Sequence, residues 1–175
     1  MQEKFRPNIQ HFDDIVATSA RLLKTAKILN MKAVATEQYP KGLGRTVEEL
    51  ELSKYGVPVF EKTCFSMVSE KVMEAMGPGV DSVLLCGIEA HACVYQTAID
   101  LLQKDISLHV VVDAVSSRSP VERKFALRQM ERAGAWLITS ECLILSLLGD
   151  AAHPEFRNIQ KLIMSSAPET DLMRF

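Results

Sequence analysis

Short apolar runs alternate along this chain with longer stretches in which apolar residues return every three or four positions. The runs are KAVAT (Lys32 to Thr36), VPVF (Val57 to Phe60), VLLC (Val83 to Cys86), LHVVVD (Leu108 to Asp113) and AWLIT (Ala135 to Thr139). Each is too short for a helix and lacks polar alternation, which predicts a parallel strand buried on both faces. Ile15, Leu22, Ala26 and Leu29, with small Ser19 in the remaining place of their stripe, predict a first helix from about Phe12 to Leu29. Further helices are expected to begin near Ser69, His91, Ser119, Ser140 and Pro154. Thr46-Val47-Glu48-Glu49 has the form of a capping box opening a short helix. Ser140 reads as the N-cap of ECLILSLL, and Gly149 as its stop. Strands alternating with helices predict an α/β domain, a parallel sheet covered by helices on both faces. One feature is unusual for such a sheet: the chain opens on a helix rather than a strand.

Composition narrows the classes. The chain has 175 residues, enough for one domain with a full core, and is 47% hydrophobic and 24% charged. Its 20 basic and 22 acidic side chains are spread along the length with a net charge of −2, and no basic block points to nucleic acid or a membrane surface. No apolar run approaches the ~18 residues of a bilayer span. Met1 to Pro7 lacks the apolar centre of a signal peptide. The four cysteines, 64, 86, 93 and 142, show no C-x-x-C and no metal-ligand spacing. They predict reduced thiols in an intracellular, cytoplasmic compartment, with no metal and no cofactor.

In an open parallel sheet, ligands bind beyond the carboxyl ends of the strands. Those ends carry Glu37, Gln38 and Tyr39; Glu61 and Lys62; Gly87, Glu89, His91 and Cys93; and Asp113. Cys93 falls in the first turn of the predicted helix after the VLLC run, whose buried face is Val94, Ala98 and Leu101, where unpaired N–H groups stabilise a thiolate or an oxyanion. A small apolar residue packing the strand–helix corner is the alternative for it. Cys86 and Cys142 read as core; Cys64 is open. Lys62 is either a site lysine or a solvated one. Asp113 is either a site carboxylate or, better, the cap of the turn into VSSRS. His91 is a base for Cys93 or, better, a surface histidine. KGLGRT (Lys41 to Thr46) lacks a phosphate-loop pattern and reads as a flexible loop over the site edge.

Taken together, these segments resemble the isochorismatase-like cysteine hydrolases. GIEAHACVYQTAIDL is similar to that superfamily's nucleophile motif, a glycine six residues before the cysteine followed by V-x-x-T-A. KTCFSM resembles its lysine segment, and SRSPVERKFALRQMERAGAWLITSE its C-terminal stretch. TEQYPKGLG and GDAAHPEFRNIQKLI point further, to the animal isochorismatase domain-containing proteins, nearest those of the second type.

The resemblance implies one three-layer α/β/α domain over residues 1–175, acting on a small molecule and able to form a homo-oligomer. By motif position, Cys93 would be the nucleophile and Lys62 the lysine of a cysteine–aspartate–lysine triad. A cis peptide would fall between Ile88 and Glu89, with the N–H groups of Glu89 and Cys93 forming the oxyanion hole. Glu37, Tyr39, Phe65 and His91 would line the substrate pocket. The family reaction would be hydrolysis of a small amide or related C–N bond, although true isochorismatases cleave a vinyl ether without the cysteine. Two departures stand out. Where metal-dependent nicotinamidases carry D-x-H, this chain has Glu37-Gln38-Tyr39, so no metal is expected. The triad aspartate belongs to a D-x-Q-x-x-F pattern of which only Met1-Gln2-x-x-Phe5 is present. That aspartate and the first central strand would precede Met1, which predicts a shortened, inactive form or a binding protein on the same fold.

Overall fold

A computed structural model describes residues 1–173 and arranges five parallel strands in two ladders. The first joins β1 (Ala35–Gln38) to β2 (Val59–Lys62). The second has the order β3 (Ser82–Ile88), β4 (Ser107–Ser116), β5 (Trp136–Ile138). The α/β class therefore stands, with parallel ladders flanked by helices. The single sheet read from the alternation is instead divided, with a seam between β1 and β3 where no ladder runs.

β1 and β2 lie two or three residues beyond the apolar runs that announced them. Pro58 has no N–H to give, so the ladder begins with its carbonyl, which accepts from Ala35 N at 2.9 Å. β4 contains its unbroken apolar run, with eight of its ten residues buried, Leu108 and Val110 to Ser116, and His109 half-buried. One face packs Leu108, Val110, Val112 and Val115 with Ala98, Leu101, Leu127 and Met130; the other sets Val111 and Ala114 against Leu22 and Leu143. Each large side chain so buried contributes about 1.5–3 kcal/mol. Helices on both faces are the direct result.

The helices are α1 (Phe12–Ile28), α2 (Pro40–Leu43), α3 (Glu70–Met76), α4 (Tyr95–Leu102), α5 (Pro120–Arg132), α6 (Ser140–Leu148) and α7 (Phe156–Ile163). Ser69 and Ser119 cap α3 and α5, accepting from Val72 N and Glu122 N at 3.3 Å each. Gly149, at φ 68°, ends α6 as its sequence position suggested. The α6 cap is Thr139 rather than Ser140, whose N–H and hydroxyl are both given to Asp113. The capping box at Thr46 does not form: Thr46 N donates to Glu37 Oε1 at 2.7 Å, and only a 3₁₀ turn follows at Glu48–Leu50. KGLGRT is a helical turn and an anchored bend rather than an open loop, since Lys4 Nζ holds Gly42 O and Gln2 Nε2 holds Gly44 O.

The β3–β4 ladder slips between Leu85 and Gly87, whose partners are Val110 and Val115. Three extra residues of β4 bulge there. Asp113 sits in this bulge, not at the strand end expected for it, and its buried carboxylate receives Ser140 N at 2.8 Å and Ser140 Oγ at 2.5 Å. Arg123 of α5, 5% exposed, closes the other side by donating to Val112 O, Val115 O and Leu172 O. No helix among the described residues is long and apolar enough to cross a membrane.

Candidate active site

Two chain segments far apart in sequence meet at the carboxyl end of the strands. Lys62 closes β2. Cys93 lies in a π-helical turn, Ala90–Val94, that joins β3 to α4. The turn takes its shape from Glu89 O, which accepts from both Ala92 N and Val94 N at 3.1 Å. Gly87, at φ 125°, makes the bend that a side chain would strain, and the peptide between Ile88 and Glu89 is cis. Lys62 Nζ ends 3.6 Å from Cys93 Sγ. Both side chains are half-buried.

The rest of the site splits by distance from that pair. Phe65 and Tyr39, 60% and 55% exposed, flank Lys62, which donates to Phe65 O and whose own carbonyl accepts from Tyr39 N. His91 Nδ1 lies 3.1 Å from Ser117 Oγ, a structural partner rather than Cys93. Glu89 turns its carboxylate to Arg118, at 3.3 Å from Nε. Glu37 is buried and fully engaged, accepting from Thr46 N and from Arg45 Nη1 at 2.8 Å. Burial would raise its carboxyl, but the Thr46 N–H and the Arg45 guanidinium outweigh it and hold the group below the usual range.

The other thiols divide differently from the expectation. Cys86 packs against the Val111–Leu143 cluster, and burial pushes its thiol up. Cys142 is exposed rather than core, as is Cys64. α6 is apolar around its circumference, yet only Leu143, Ile144 and Leu148 of its large residues face inward.

Three participants had no assigned role in the sequence. Gln38 Oε1 accepts from Lys62 Nζ at 2.7 Å. Buried Gln2 brackets the backbone of Gln38, taking its N–H at 2.7 Å and giving Nε2 to its carbonyl at 2.9 Å. Thr97 Oγ1 donates to Cys93 O at 2.6 Å and accepts from Met67 N at 2.9 Å, tying the turn that holds Cys93 to the loop after Lys62. Each carried a signal, Gln38 at a strand's carboxyl end, Gln2 in the D-x-Q-x-x-F pattern and Thr97 in V-x-x-T-A, but not the partner it takes.

Residues 1–142 match the isochorismatase domain. The chain belongs to that family. This isochorismatase-family domain is 53% identical over 174 residues to isochorismatase domain-containing protein 2 of Homo sapiens, covering 99% of the chain and 84% of the relative. Its fold superposes on the structure of MAR1 ribonuclease from Caenorhabditis elegans with a TM-score of 0.92 at 52% identity, over 97% and 88% of the two chains. At 20% identity it shares its fold with the YcaC gene product of Escherichia coli, an octameric hydrolase of unknown specificity, with a TM-score of 0.74 over 91% and 88%. Among the described residues of the domain, no three His, Cys, Asp or Glu side chains group as a metal site.

Proposed function

We propose that this chain carries the thiol–lysine part of a cysteine hydrolase acting on small amides or related C–N bonds. The observation behind it is the approach of Lys62 Nζ to 3.6 Å from Cys93 Sγ at the strands' carboxyl edge. Cys93 would attack the carbonyl carbon, Lys62 would stabilise the charge that builds up, and the N–H groups of Glu89 and Cys93 would receive the oxyanion. The proton lost by the thiol is passed to the nitrogen, which leaves as the amine, and water then cleaves the thioester to the acid and the free thiol. Among the described residues no carboxylate is hydrogen-bonded to Cys93 Sγ, and the thiol–lysine pair is expected to be acylated at Cys93 by an activated ester.

p-Nitrophenyl acetate tests this directly. Intact mass and peptide mapping should find one acetyl group on Cys93, formed more slowly in Lys62→Met and absent in Cys93→Ala. Labelling that favours exposed Cys64 or Cys142 would remove the assignment. The name of the Caenorhabditis elegans relative supports a second reading, cleavage of RNA. An even spread of charge with a net −2 speaks against it, and RNA breakdown lost in Cys93→Ala would reinstate it. A homo-oligomer in an intracellular setting belongs to the same proposal. Val121 and Phe125, 61% and 54% exposed, lie one turn apart on α5, and size-exclusion chromatography with light scattering would measure the assembly.

A further inference from the structure

Lys62 Nζ carries three N–H bonds, and three oxygens take them: Gln38 Oε1 and Phe65 O at 2.7 Å and Cys64 O at 2.9 Å. Cys93 Sγ, at 3.6 Å, is a fourth and longer contact that shares an N–H with one of these oxygens and feels mainly the ammonium's charge. All three acceptors are neutral. The acidic residues around them are turned elsewhere: Glu37 and Glu61 to Arg45 at 2.8 and 2.7 Å, and Glu89 to Arg118 at 3.3 Å. Among the described residues no carboxylate is hydrogen-bonded to Lys62, so its charge is left facing the thiol.

Of the three acceptors, only Gln38 is a side chain. Its amide has one orientation, because Nε2 donates to Thr63 O at 2.6 Å and Oε1 must then face Lys62. Its backbone is fixed as well. Ala35 N and Tyr39 N point to β2, so Gln38 N and O lie on the opposite edge, and there the Gln2 amide pairs with both. Gln2 is itself 3% exposed and holds Gly44 O at 2.6 Å. We propose that Gln38 is a positioning residue, holding Lys62 over Cys93 while leaving its charge uncompensated, with Gln2 fixing Gln38 in turn. This rests on the thiol–lysine pair proposed above.

The test is the rate of Cys93 carbamidomethylation by iodoacetamide as a function of pH, followed by peptide mass spectrometry. It compares wild type, Gln38→Glu, Gln38→Met and Lys62→Met, each checked as folded by circular dichroism. Gln38→Glu is isosteric and sets a carboxylate against Nζ. Its profile should move to higher pH by about one unit, the low end of what a charge 4–6 Å away produces. Its high-pH plateau should rise about threefold, because a more basic thiolate is the stronger nucleophile. Gln38→Met, which keeps the length and drops the acceptor, should move the profile the same way by less. A purely structural glutamine would change the melting temperature and leave the profiles superimposed. If both Gln38 variants overlay wild type, or Gln38→Met moves to lower pH, while Lys62→Met is displaced upward, the positioning role is wrong and the pair survives. Lys62→Met overlaying wild type would remove the pair, and this inference with it. Should Gln38→Glu unfold, Gln38→Met alone decides.

Discussion

Replacing Arg123 by Met should destabilise the domain by about 2–4 kcal/mol. The guanidinium makes three bonds to main-chain carbonyls, at 2.8 Å to Val115 O, 2.7 Å to Leu172 O and 2.5 Å to Val112 O. Val112 lies in the β4 bulge, where the ladder to β3 is interrupted, and Val115 is where that ladder resumes. Hydrogen bonds to a charged donor contribute about 1.5–3 kcal/mol each, so the three together set a ceiling of roughly 5–9 kcal/mol. Against that stands the cost of burying a cation, which is several kcal/mol and disappears with the charge. That cost is visible in the group itself, since burial pushes Arg123 down to about 10 despite Asp113 and Asp171. Methionine fills the volume but leaves the carbonyls without donors, so the loss outweighs the relief. Urea unfolding followed by far-UV circular dichroism measures the difference by linear extrapolation, with an unchanged slope if the fold persists. Arg123→Lys should recover little, because one ammonium cannot span three diverging carbonyls. A loss below about 0.5 kcal/mol in Arg123→Met would show that the carbonyls find other partners, and would refute the role assigned to the arginine at the bulge.

Other expectations are shorter to state. His11 contacts Asp14 at 3.0 Å and Asp171 at 2.5 Å; burial lowers the imidazole, but the two carboxylates outweigh it and hold it above its ordinary value. A raised folded value means the stabilisation is complete below about pH 6.5 and fades as pH rises through the folded value. Melting curves against pH should therefore show His11→Asn, which tolerates the φ of 52° there, losing its deficit in that upper range; a deficit that grows with pH would contradict the sign. Its size stays below about 1 kcal/mol, as for partly exposed pairs. Thr97→Val should cost about 1–3 kcal/mol in urea, since it leaves Met67 N without its acceptor, and should slow Cys93 alkylation; an unchanged rate would separate the loop from the thiol. Chelation should leave stability and Cys93 reactivity unchanged, and a stoichiometric metal lost together with either property would overturn the metal-free reading.

The apolar runs located all five strands, although only β4 is buried from both sides as they predicted; β2 and β5 leave Val59 and Trp136 exposed, so apolar composition marked those strands without the two-sided burial read from it. They missed the edges of β1 and β2, where the ladder is decided by which residues have an N–H to give, as Pro58 does not. Strand-end logic brought Lys62 and Cys93 to one edge across a sequence separation of 31, and they do meet there. It misplaced Asp113, because a bulge alters the count along β4 without altering its composition. Cys142 looked like core for a related reason: α6 is apolar on faces that meet nothing. Gln2 and Gln38 were invisible as partners, since an amide that finishes a strand edge has no periodicity and no charge to mark it.

The seam between the ladders gives the site a mechanical property. Lys62 belongs to one ladder and Cys93 to the turn after the other, and no strand-to-strand hydrogen bond keeps the two at a fixed spacing. The Thr97 bridge from Cys93 O to Met67 N links the two segments, while α1 packs Ile15 and Val16 with Val47 and Leu50 and adds Leu22 to the cluster that also holds Leu84 and Cys86. Coulomb attraction falls as the reciprocal of distance, so parting the charges by one ångström from 3.6 Å removes about a fifth of it in any dielectric. On the proposed thiol–lysine reading, whatever shifts one sheet against the other is therefore expected to register in the reactivity of Cys93 before any strand comes apart.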